Sequence, residues 1–300
     1  MPIASIHGVT LNYRQAGEGP DLVLVHGLGA NHAFWRLDVL LPLARRFRVT
    51  VYDLRGHGYS GMPSSGYTSA DLAGDLVGLL DHLGIERAPV AGHSFGGVVA
   101  LHAALRNPER VAGLALIDAR VRAVQETLRL QGWPDWEAVK GMMSDLNLEV
   151  PEDEDDAGLY ILERLASPEF RDLRRRIAKY DTYEGYVPFA GLGGGQRSAQ
   201  RFFDLLNTTT AGRDFRDPAG LTREAIRALA APLLALYGEN SRCVESCRGL
   251  QALVPGCRVV LVPGAGHYFP ATRPQAVVEA LVSFHAEVGA GVTAAVEARS

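Results

Sequence analysis

The pentapeptide GHSFG at residues 92–96, with Ser94 at its centre, is the stretch of this sequence that decides the fold. A short apolar run precedes it at 88–91, and an Ala- and Leu-rich stretch follows it at 97–105. This order of strand, sharp turn and helix is typical of a nucleophile elbow, in which small residues flank a serine so that its hydroxyl stands clear of the sheet edge. Because 33 of the 300 residues are glycine, the motif alone is a weak signal. The motif becomes strong evidence for a catalytic serine only if a base, an acid and an oxyanion hole are found elsewhere in the chain.

Apolar runs and helical stretches alternate along the rest of the chain. The apolar runs predict strands at 22–25, 49–52, 88–91, 112–117, 232–237 and 258–262. An alternating run at 6–15 predicts a first strand that enters a hairpin at 17–20, and a last helix is predicted at 274–288 with a weakly ordered tail beyond it. This alternation predicts an α/β fold, with a mostly parallel, twisted sheet and helices on both faces.

The alternation is interrupted between residues 120 and 227, where the sequence is helical in pattern, charged and irregular. We therefore expect a core formed by 1–119 and 228–300, with 120–227 as an inserted helical cap. The acidic run at 152–156 is expected to be a solvated loop rather than a metal site.

A serine needs a base within hydrogen-bond reach to act as a nucleophile. Among the nine histidines, His267 follows the last predicted strand and precedes the last helix. It therefore lies on a loop at the same sheet edge as Ser94, which is the edge where ligands bind in open α/β sheets. His93 belongs to the elbow, but its side chain should point away from that of Ser94. His267 is accordingly predicted as the general base.

An oxyanion hole needs two backbone N–H groups, one from the residue after the nucleophile and one from the loop after an earlier strand. Phe95 supplies the first of these. The tight strand exit HGLG at 26–29 supplies the second, with Leu28 as the best candidate donor.

Four motifs together resemble the α/β-hydrolase superfamily: HGLG at 26–29, DLRGHGYS at 53–60, GHSFGG at 92–97 and GAGH at 264–267. The chain is similar to the capped branch of esterases, lactonases and C–C-bond hydrolases, and the resemblance covers the core from Ile3 to His285. It implies that Asp53 and Arg55 support the elbow and the mouth of the site. Haloalkane dehalogenases and epoxide hydrolases of this fold carry Asp at the elbow, and Ser94 cannot replace it in that chemistry.

The acid of the predicted catalytic triad has more than one candidate. Most relatives place an Asp where this chain has Ser241, which cannot hold an imidazolium through a full negative charge. Asp118 ends the strand after the elbow helix, and some family members carry their acid there. Glu239 is the alternative acid, in the usual loop but displaced. A Ser–His dyad, or another acid such as Glu245, also stays open.

The sequence thus predicts a serine hydrolase that cleaves an ester or lactone of a small apolar molecule through a Ser-His-acid triad and an acyl-enzyme. C–C-bond hydrolysis, cofactor-free peroxidation or acyl transfer would suit the same site, and the missing Asp at 241 leaves open a non-catalytic small-molecule receptor. Trp133, Trp136 and Phe189 are candidates for the substrate pocket, with the cap's own core as the alternative. No metal and no organic cofactor is implied.

Composition narrows the classes of partner. A net charge of −4 argues against a nucleic-acid-binding surface. No apolar run is long enough to span a bilayer, and because the first predicted strand begins almost at once we expect no leader segment before it. We expect a cytoplasmic monomer or homodimer that acts on a small-molecule ester, lactone or related acyl substrate, with neither a nucleic acid nor a membrane as partner.

Overall fold

The computed structural model describes residues 2–128, 136–145, 156–171, 188–189 and 194–297. The strands are β1 Ile3–Ile6, β2 Val9–Ala16, β3 Asp21–Val25, β4 Arg48–Tyr52, β5 Ala88–His93, β6 Val111–Ile117, β7 Leu233–Gly238 and β8 Arg258–Val262. The α-helices are α1 Arg36–Ala44, α2 Ser69–His82, α3 Phe95–Arg106, α4 Trp136–Asp145, α5 Ala157–Ala166, α6 Gly194–Thr208, α7 Ala211–Asp214, α8 Arg223–Arg227, α9 Val244–Leu253, α10 Phe269–Thr272 and α11 Pro274–Glu297. Short 3₁₀ turns lie at His32–Trp35 and Pro168–Phe170.

The strands form one sheet of eight, in the order β1-β2-β4-β3-β5-β6-β7-β8. From β4 to β8 the neighbours run parallel, whereas β1 and β2 pair antiparallel at one edge. Alternate residues of β3 enter different cores: Val23 and Val25 face the cluster that includes α2 and α3, and Leu24 faces the cluster that includes α1 and α11. Helices therefore cover both faces of a mostly parallel sheet, and the predicted fold class is confirmed.

The predicted hairpin at 17–20 is wrong. The strand before that turn, β2, pairs with β4 rather than with β3, and β4 lies between them. The apolar β3 is buried on both faces, which suits an interior parallel strand and not the partner of an edge strand. The run at 6–15 is also two strands, because His7 and Gly8 turn the chain with φ of 47° and 78°.

The last helix is longer than predicted. It runs from Pro274 to Glu297, so the tail expected beyond residue 288 is helical for nine further residues (297 − 288). The extension contains several alanines, and alanine has the highest helix propensity.

No helix among the described residues is both long enough and apolar enough to cross a membrane.

The connection between β5 and α3 is a single residue, Ser94, whose backbone has φ 54° and ψ −125°. The glycines beside it have no room for a side chain. A Cβ on Gly92 would lie 2.2 Å from the carbonyl oxygen of Gly96, and a Cβ on Gly96 would lie 2.4 Å from that of His26. The glycines of the motif are therefore required by the close packing of three backbone segments around the serine.

The described part of the chain between β6 and β7 contains helices α4 to α8 and an isolated bridge between Leu128 and Asp156. Apolar side chains of this segment, such as Phe202 in α6 and Phe215 just after α7, form a third cluster that also contacts Phe95 at the elbow and Leu28 after β3. This segment therefore packs against the sheet edge that carries Ser94. The cap boundaries at 120 and 227 stay a prediction, and 152–155 of the acidic run lie outside the described residues.

We predict that Gly96→Ala destabilises the fold by about 1–3 kcal/mol or more, because the new methyl group collides with backbone that cannot move independently. Gly74→Ala is the matched control, since Gly74 lies in α2 and a Cβ added there would have no neighbouring atom within 4 Å. That control should gain up to about 1 kcal/mol from helix propensity. Urea denaturation followed by circular dichroism measures both, and equal stability of the two variants would contradict the packing argument.

Candidate active site

Ser94 and His267 meet in a cleft at the carboxyl edge of the sheet. Two cavities, of about 90 and about 30 Å³, are both lined by Ser94, His267, Leu28 and Leu162. The larger one extends past Phe95 and Val98 towards three arginines, and we call it the arginine arm. The smaller one extends past Gly29, Phe34 and Tyr268. Ser94 therefore lies at the junction of two spaces, which suits a group that attacks the middle of a substrate.

The two predicted oxyanion donors flank Ser94. Phe95 is the first residue of α3, where the leading N–H groups have no partner within the helix and the helix dipole favours negative charge. Leu28 follows β3 and lines both cavities beside Ser94. The loop that carries Leu28 lies close to Ser94, since a Cβ added to Gly27 would be 2.9 Å from the Cβ of Ser94. Both N–H groups thus belong to segments packed against the serine.

The His267 ring faces Asp118 on its other side. The distance between His267 Nδ1 and Asp118 Oδ1 is 2.9 Å, and the Asp118 side chain is fully buried. Asp118 follows β6 with a φ of 47°. Its Oδ2 accepts a hydrogen bond of 2.8 Å from the Gly238 N–H at the end of β7, and its Oδ1 accepts one from the Ser241 hydroxyl. The carboxylate therefore joins the ends of two strands to the histidine loop.

Burial controls the protonation of this pair. It raises the pKa of Asp118 to about 6, even though the hydrogen bonds from Ser241 and Gly238 act in the opposite direction. Burial, followed by the positive charge of Arg242, holds the pKa of His267 well below its usual value. At neutral pH Asp118 is thus ionised and His267 is neutral. Because an ionised carboxylate only accepts, Nδ1 of His267 carries the proton and Nε2 is left as an acceptor.

The other candidate acids make different contacts. Glu239 is exposed, and its Oε2 accepts a 2.8 Å hydrogen bond from the Gly264 N–H. Glu245 is also exposed and pairs with Arg248 one turn along α9. Neither carboxylate is among the described partners of the His267 ring. The geometry favours Asp118 among the three acids named from the sequence.

His93 of the elbow lies behind the histidine loop rather than beside the serine hydroxyl. Its Nε2 donates a 2.9 Å hydrogen bond to the backbone oxygen of His267, and its ring stacks on Phe34 with centroids 4.6 Å apart. Burial, followed by the neighbouring His267, lowers the pKa of His93 to about 3. A neutral His93 thus fixes the backbone position of His267.

Asp53 and Arg55 form two separate buried supports below the mouth of the cleft. Asp53 accepts hydrogen bonds from the Asn12 amide at 2.7 Å, the His32 N–H at 2.7 Å and the Tyr59 N–H at 2.9 Å. Arg55 forms a two-pronged ion pair with Asp75, at 2.5 and 2.6 Å. The Asp53 contacts tie two loops to β2, and the Arg55 pair ties its loop to α2, in line with the supporting role expected from the sequence.

The sequence matches the model of one protein family, described as the alpha/beta hydrolase fold, over residues 20–274. The chain belongs to the alpha/beta hydrolase fold family. The matched range includes the strands from β3 to β8, the elbow and the loop of His267.

Several hydrolases resemble this alpha/beta hydrolase over nearly their whole length. A 2-(acetamidomethylene)succinate hydrolase from Mesorhizobium japonicum is 27% identical, covering 92% of this chain and 91% of that protein. A soluble epoxide hydrolase from a Corynebacterium species is 27% identical, over 94% and 96% of the two chains. The crystal structure of the esterase RhEst1 from a Rhodococcus species superposes with a TM-score of 0.67 and 26% identity, over 95% and 98%.

The aromatic residues proposed from the sequence for the substrate pocket of this hydrolase do not line the described walls of the two cavities. Trp136 and Phe189 are buried in the third cluster, and Phe189 packs against Gly29, where a Cβ would lie 2.6 Å from its ring. Trp133 lies outside the described residues. Leu128, Leu159 and Phe215 provide apolar wall instead.

Two features of the cleft escape sequence reasoning. The sequence presents Ser241 only as a missing acid, yet its hydroxyl donates to Asp118 while its Oγ accepts a 3.0 Å hydrogen bond from the Cys243 N–H. The arginines of the arginine arm are Arg120, Arg122 and Arg242. For Arg120 and Arg122, the one sequence signal that places them at the cleft is that they follow Asp118 closely. For Arg242, the sequence gives no such signal.

We predict that Ser241→Ala raises the pKa of the Asp118 carboxyl above its value of about 6, because the ionised form loses a buried hydrogen-bond donor. Ser241→Thr, which keeps the hydroxyl, should restore it. The measurement is a ¹³C NMR titration in which Asp118→Asn identifies the carboxyl signal. Ser246→Ala is the control, since that buried hydroxyl bonds to Val121 and Gln125. An unchanged pKa in Ser241→Ala would contradict the assignment.

Proposed function

We propose that this chain is a serine hydrolase that cleaves small esters or lactones through an acyl-enzyme on Ser94. The observation that carries the proposal is the pairing of His267 Nδ1 with buried Asp118 at 2.9 Å, in a cleft that His267 shares with Ser94. A serine on a strained elbow, a neutral imidazole and a buried carboxylate are the three parts that acyl transfer requires.

In the proposed reaction the Ser94 oxygen forms a bond to the substrate carbonyl carbon while Nε2 of His267 takes the hydroxyl proton. The N–H groups of Leu28 and Phe95 stabilise the oxyanion of the tetrahedral intermediate. His267 then returns the proton to the leaving alkoxide as the C–O bond breaks. A water molecule, deprotonated by His267, attacks the acyl-enzyme. The bond between the acyl carbon and the Ser94 oxygen then breaks, His267 returns the proton to that oxygen, and the carboxylic acid leaves.

Asp118 acts on His267 in two ways. It accepts a hydrogen bond from the Nδ1–H group, which keeps the proton on Nδ1 and leaves Nε2 free to act as the base. It also supplies the negative charge that stabilises the imidazolium formed during attack, in a site where burial otherwise disfavours that cation. Since its pKa is about 6, Asp118 is ionised above that pH and protonated below it. Turnover is therefore expected to decline as the pH falls through about 6.

The similarity to an epoxide hydrolase does not change the proposed reaction. Hydrolysis of an epoxide on this fold uses an elbow carboxylate that forms an alkyl ester, and the elbow here holds Ser94. The esterase likeness fits an elbow serine. The succinate derivative in the name of the Mesorhizobium relative is in keeping with a small acyl substrate.

We predict that a fluorophosphonate probe labels Ser94. The intact protein should gain the mass of one phosphonyl group, and Ser94→Ala should gain none. A panel of short-chain 4-nitrophenyl esters and lactones then measures turnover. Absence of an adduct on folded protein would favour the non-catalytic receptor over the hydrolase.

We predict that Asp118→Asn lowers kcat/KM for ester hydrolysis by about 10³–10⁴, because the imidazole loses both its tautomer and its counter-charge. Glu239→Gln is the matched control and should stay close to the wild-type value, since that carboxylate is exposed and bonds to Gly264. Circular dichroism verifies that both variants fold. Equal kcat/KM in the two variants would contradict the assignment of Asp118 as the acid. A loss of kcat/KM in Glu239→Gln alone would identify Glu239 as the acid instead.

A further inference from the structure

A buried thiol that the proposed reaction does not use lies against the pair of His267 and Asp118. Sγ of Cys243 is 3.8 Å from Nδ1 of His267, the same ring nitrogen that lies 2.9 Å from Oδ1 of Asp118. One ligand atom from each of these three residues lies within 4.8 Å of the other two. All three side chains are buried, and Cys243 is a reduced thiol. A thiol, an imidazole and a carboxylate, which are the groups that bind Zn²⁺ in proteins, therefore meet at one point.

Three neighbouring strands bring these residues to the same sheet edge. Asp118 directly follows β6, Cys243 lies on the loop between β7 and α9, and His267 follows β8. Because β6, β7 and β8 are consecutive parallel neighbours, the loops at their carboxyl ends lie side by side. The N–H of Cys243 donates a 3.0 Å hydrogen bond to Oγ of Ser241, whose hydroxyl donates to Asp118. The position of the thiol is thus fixed by the same network that fixes the carboxylate.

The spacing of the three ligand atoms suits a tetrahedral cation. Zn²⁺ binds sulfur at about 2.3 Å and nitrogen or oxygen at about 2.0–2.2 Å, so its ligand atoms lie about 3.4–3.6 Å apart. The observed spacings of 3.8 Å and 2.9 Å lie on either side of that range. Cys243 and His267 both line the arginine arm beside Ser94, so an ion can reach them from the cleft.

The charges near the thiol select the kind of cation. Arg242 and Arg120 both act electrostatically on Cys243, and they repel any cation that approaches it. A hard ion such as Mg²⁺ needs several oxygen ligands and gains too little from one carboxylate to overcome that repulsion. A thiophilic ion gains a metal–sulfur bond in addition. We therefore expect Zn²⁺ or Cd²⁺ to bind here rather than Mg²⁺ or Ca²⁺.

We propose that Cys243, His267 and Asp118 form an inhibitory binding site for a thiophilic divalent cation such as Zn²⁺. The ion bonds to Sγ, Nδ1 and Oδ1, with a water from the cleft as its fourth ligand. The thiol releases its proton, while the imidazole loses the proton on Nδ1 and takes one on Nε2, so binding releases one proton overall. Nε2 then carries a hydrogen and cannot accept the proton of the Ser94 hydroxyl. The inhibition rests on the proposed hydrolase function, whereas the binding does not.

Binding is measured first, with Cd²⁺ as the probe, because a bond between cadmium and a thiolate absorbs in the ultraviolet. One equivalent of Cd²⁺ should give the charge-transfer band of a single thiolate, in the wild type and in Ser94→Ala alike. Excess Mg²⁺ should not remove this band. Cys243→Ala should bind Cd²⁺ about 100-fold more weakly or worse, since even the loss of an outer partner of a metal ligand costs about 10–100-fold.

Cys247→Ala is the matched control for the loss of a buried thiol. Cys247 is buried one turn further along α9, and it belongs to no cluster of three metal-ligating side chains in the part of the chain that the structure describes. This variant should keep the band and the affinity of the wild type. Circular dichroism verifies folding, and Cys243→Ser, which is close in size to the native residue, repeats the test if Cys243→Ala does not fold.

Inhibition is measured next, on the hydrolysis of a 4-nitrophenyl ester. Zn²⁺ should abolish turnover by the wild type, and EDTA should restore it. Cys243→Ala should require about 100-fold more Zn²⁺ for half inhibition, while Cys247→Ala should be inhibited like the wild type. Each variant is compared with its own metal-free rate, so an effect of the substitution on catalysis does not enter the comparison.

The outcomes separate this inference from the proposed function. A thiolate band that persists in Cys243→Ala, or one that disappears in Cys247→Ala, overturns the site. A band that depends on Cys243 without any inhibition of turnover overturns the inhibitory role and keeps the hydrolase. If Ser94 is not labelled and no substrate is turned over, the hydrolase function fails, and the Cd²⁺ band alone still decides whether the cation binds.

Discussion

The backbone of Ser94 is the constraint on which the rest of the site depends. A φ of 54° with a ψ of −125° is a costly conformation for a residue with a side chain, on the order of 1–3 kcal/mol. It is maintained because β5 and α3 are both buried and joined by that single residue, while Gly92 and Gly96 let neighbouring backbone approach to distances that exclude a Cβ. The same turn starts α3 directly after the serine, so the leading N–H groups that have no partner within the helix begin next to it.

The parallel sheet explains how a carboxylate at the end of β6 can reach the same place as a residue at the end of β7. β6 and β7 are neighbours in register, so residues that follow Ile117 and Gly238 reach the same region at the sheet edge. Asp118 lies on one strand end, and the Gly238 N–H and the Ser241 hydroxyl on the other bond to its carboxylate. The loop in which the sequence resemblance places an acid provides two hydrogen-bond donors to Asp118 instead.

The sequence is informative where local pattern and tertiary structure agree. The apolar runs, the elbow and the base-bearing loop can be predicted because a buried parallel strand and its turn leave a short local signature. The pairing of β2 cannot, since the turn at 17–20 is compatible with either neighbour and only the placement of β4 between the strands decides it. From the sequence alone, Asp118 is only one of several candidate acids, because Glu239 carries the same charge and also lies in a suitable loop. The bond of Glu239 to Gly264 is a long-range contact that spacing does not encode.

The charges of the cleft are linked to one another through His267. The positive charge of Arg242, together with burial, lowers the proton affinity of that imidazole, which opposes its action as a base. Asp118 offsets part of this from the far side of the ring.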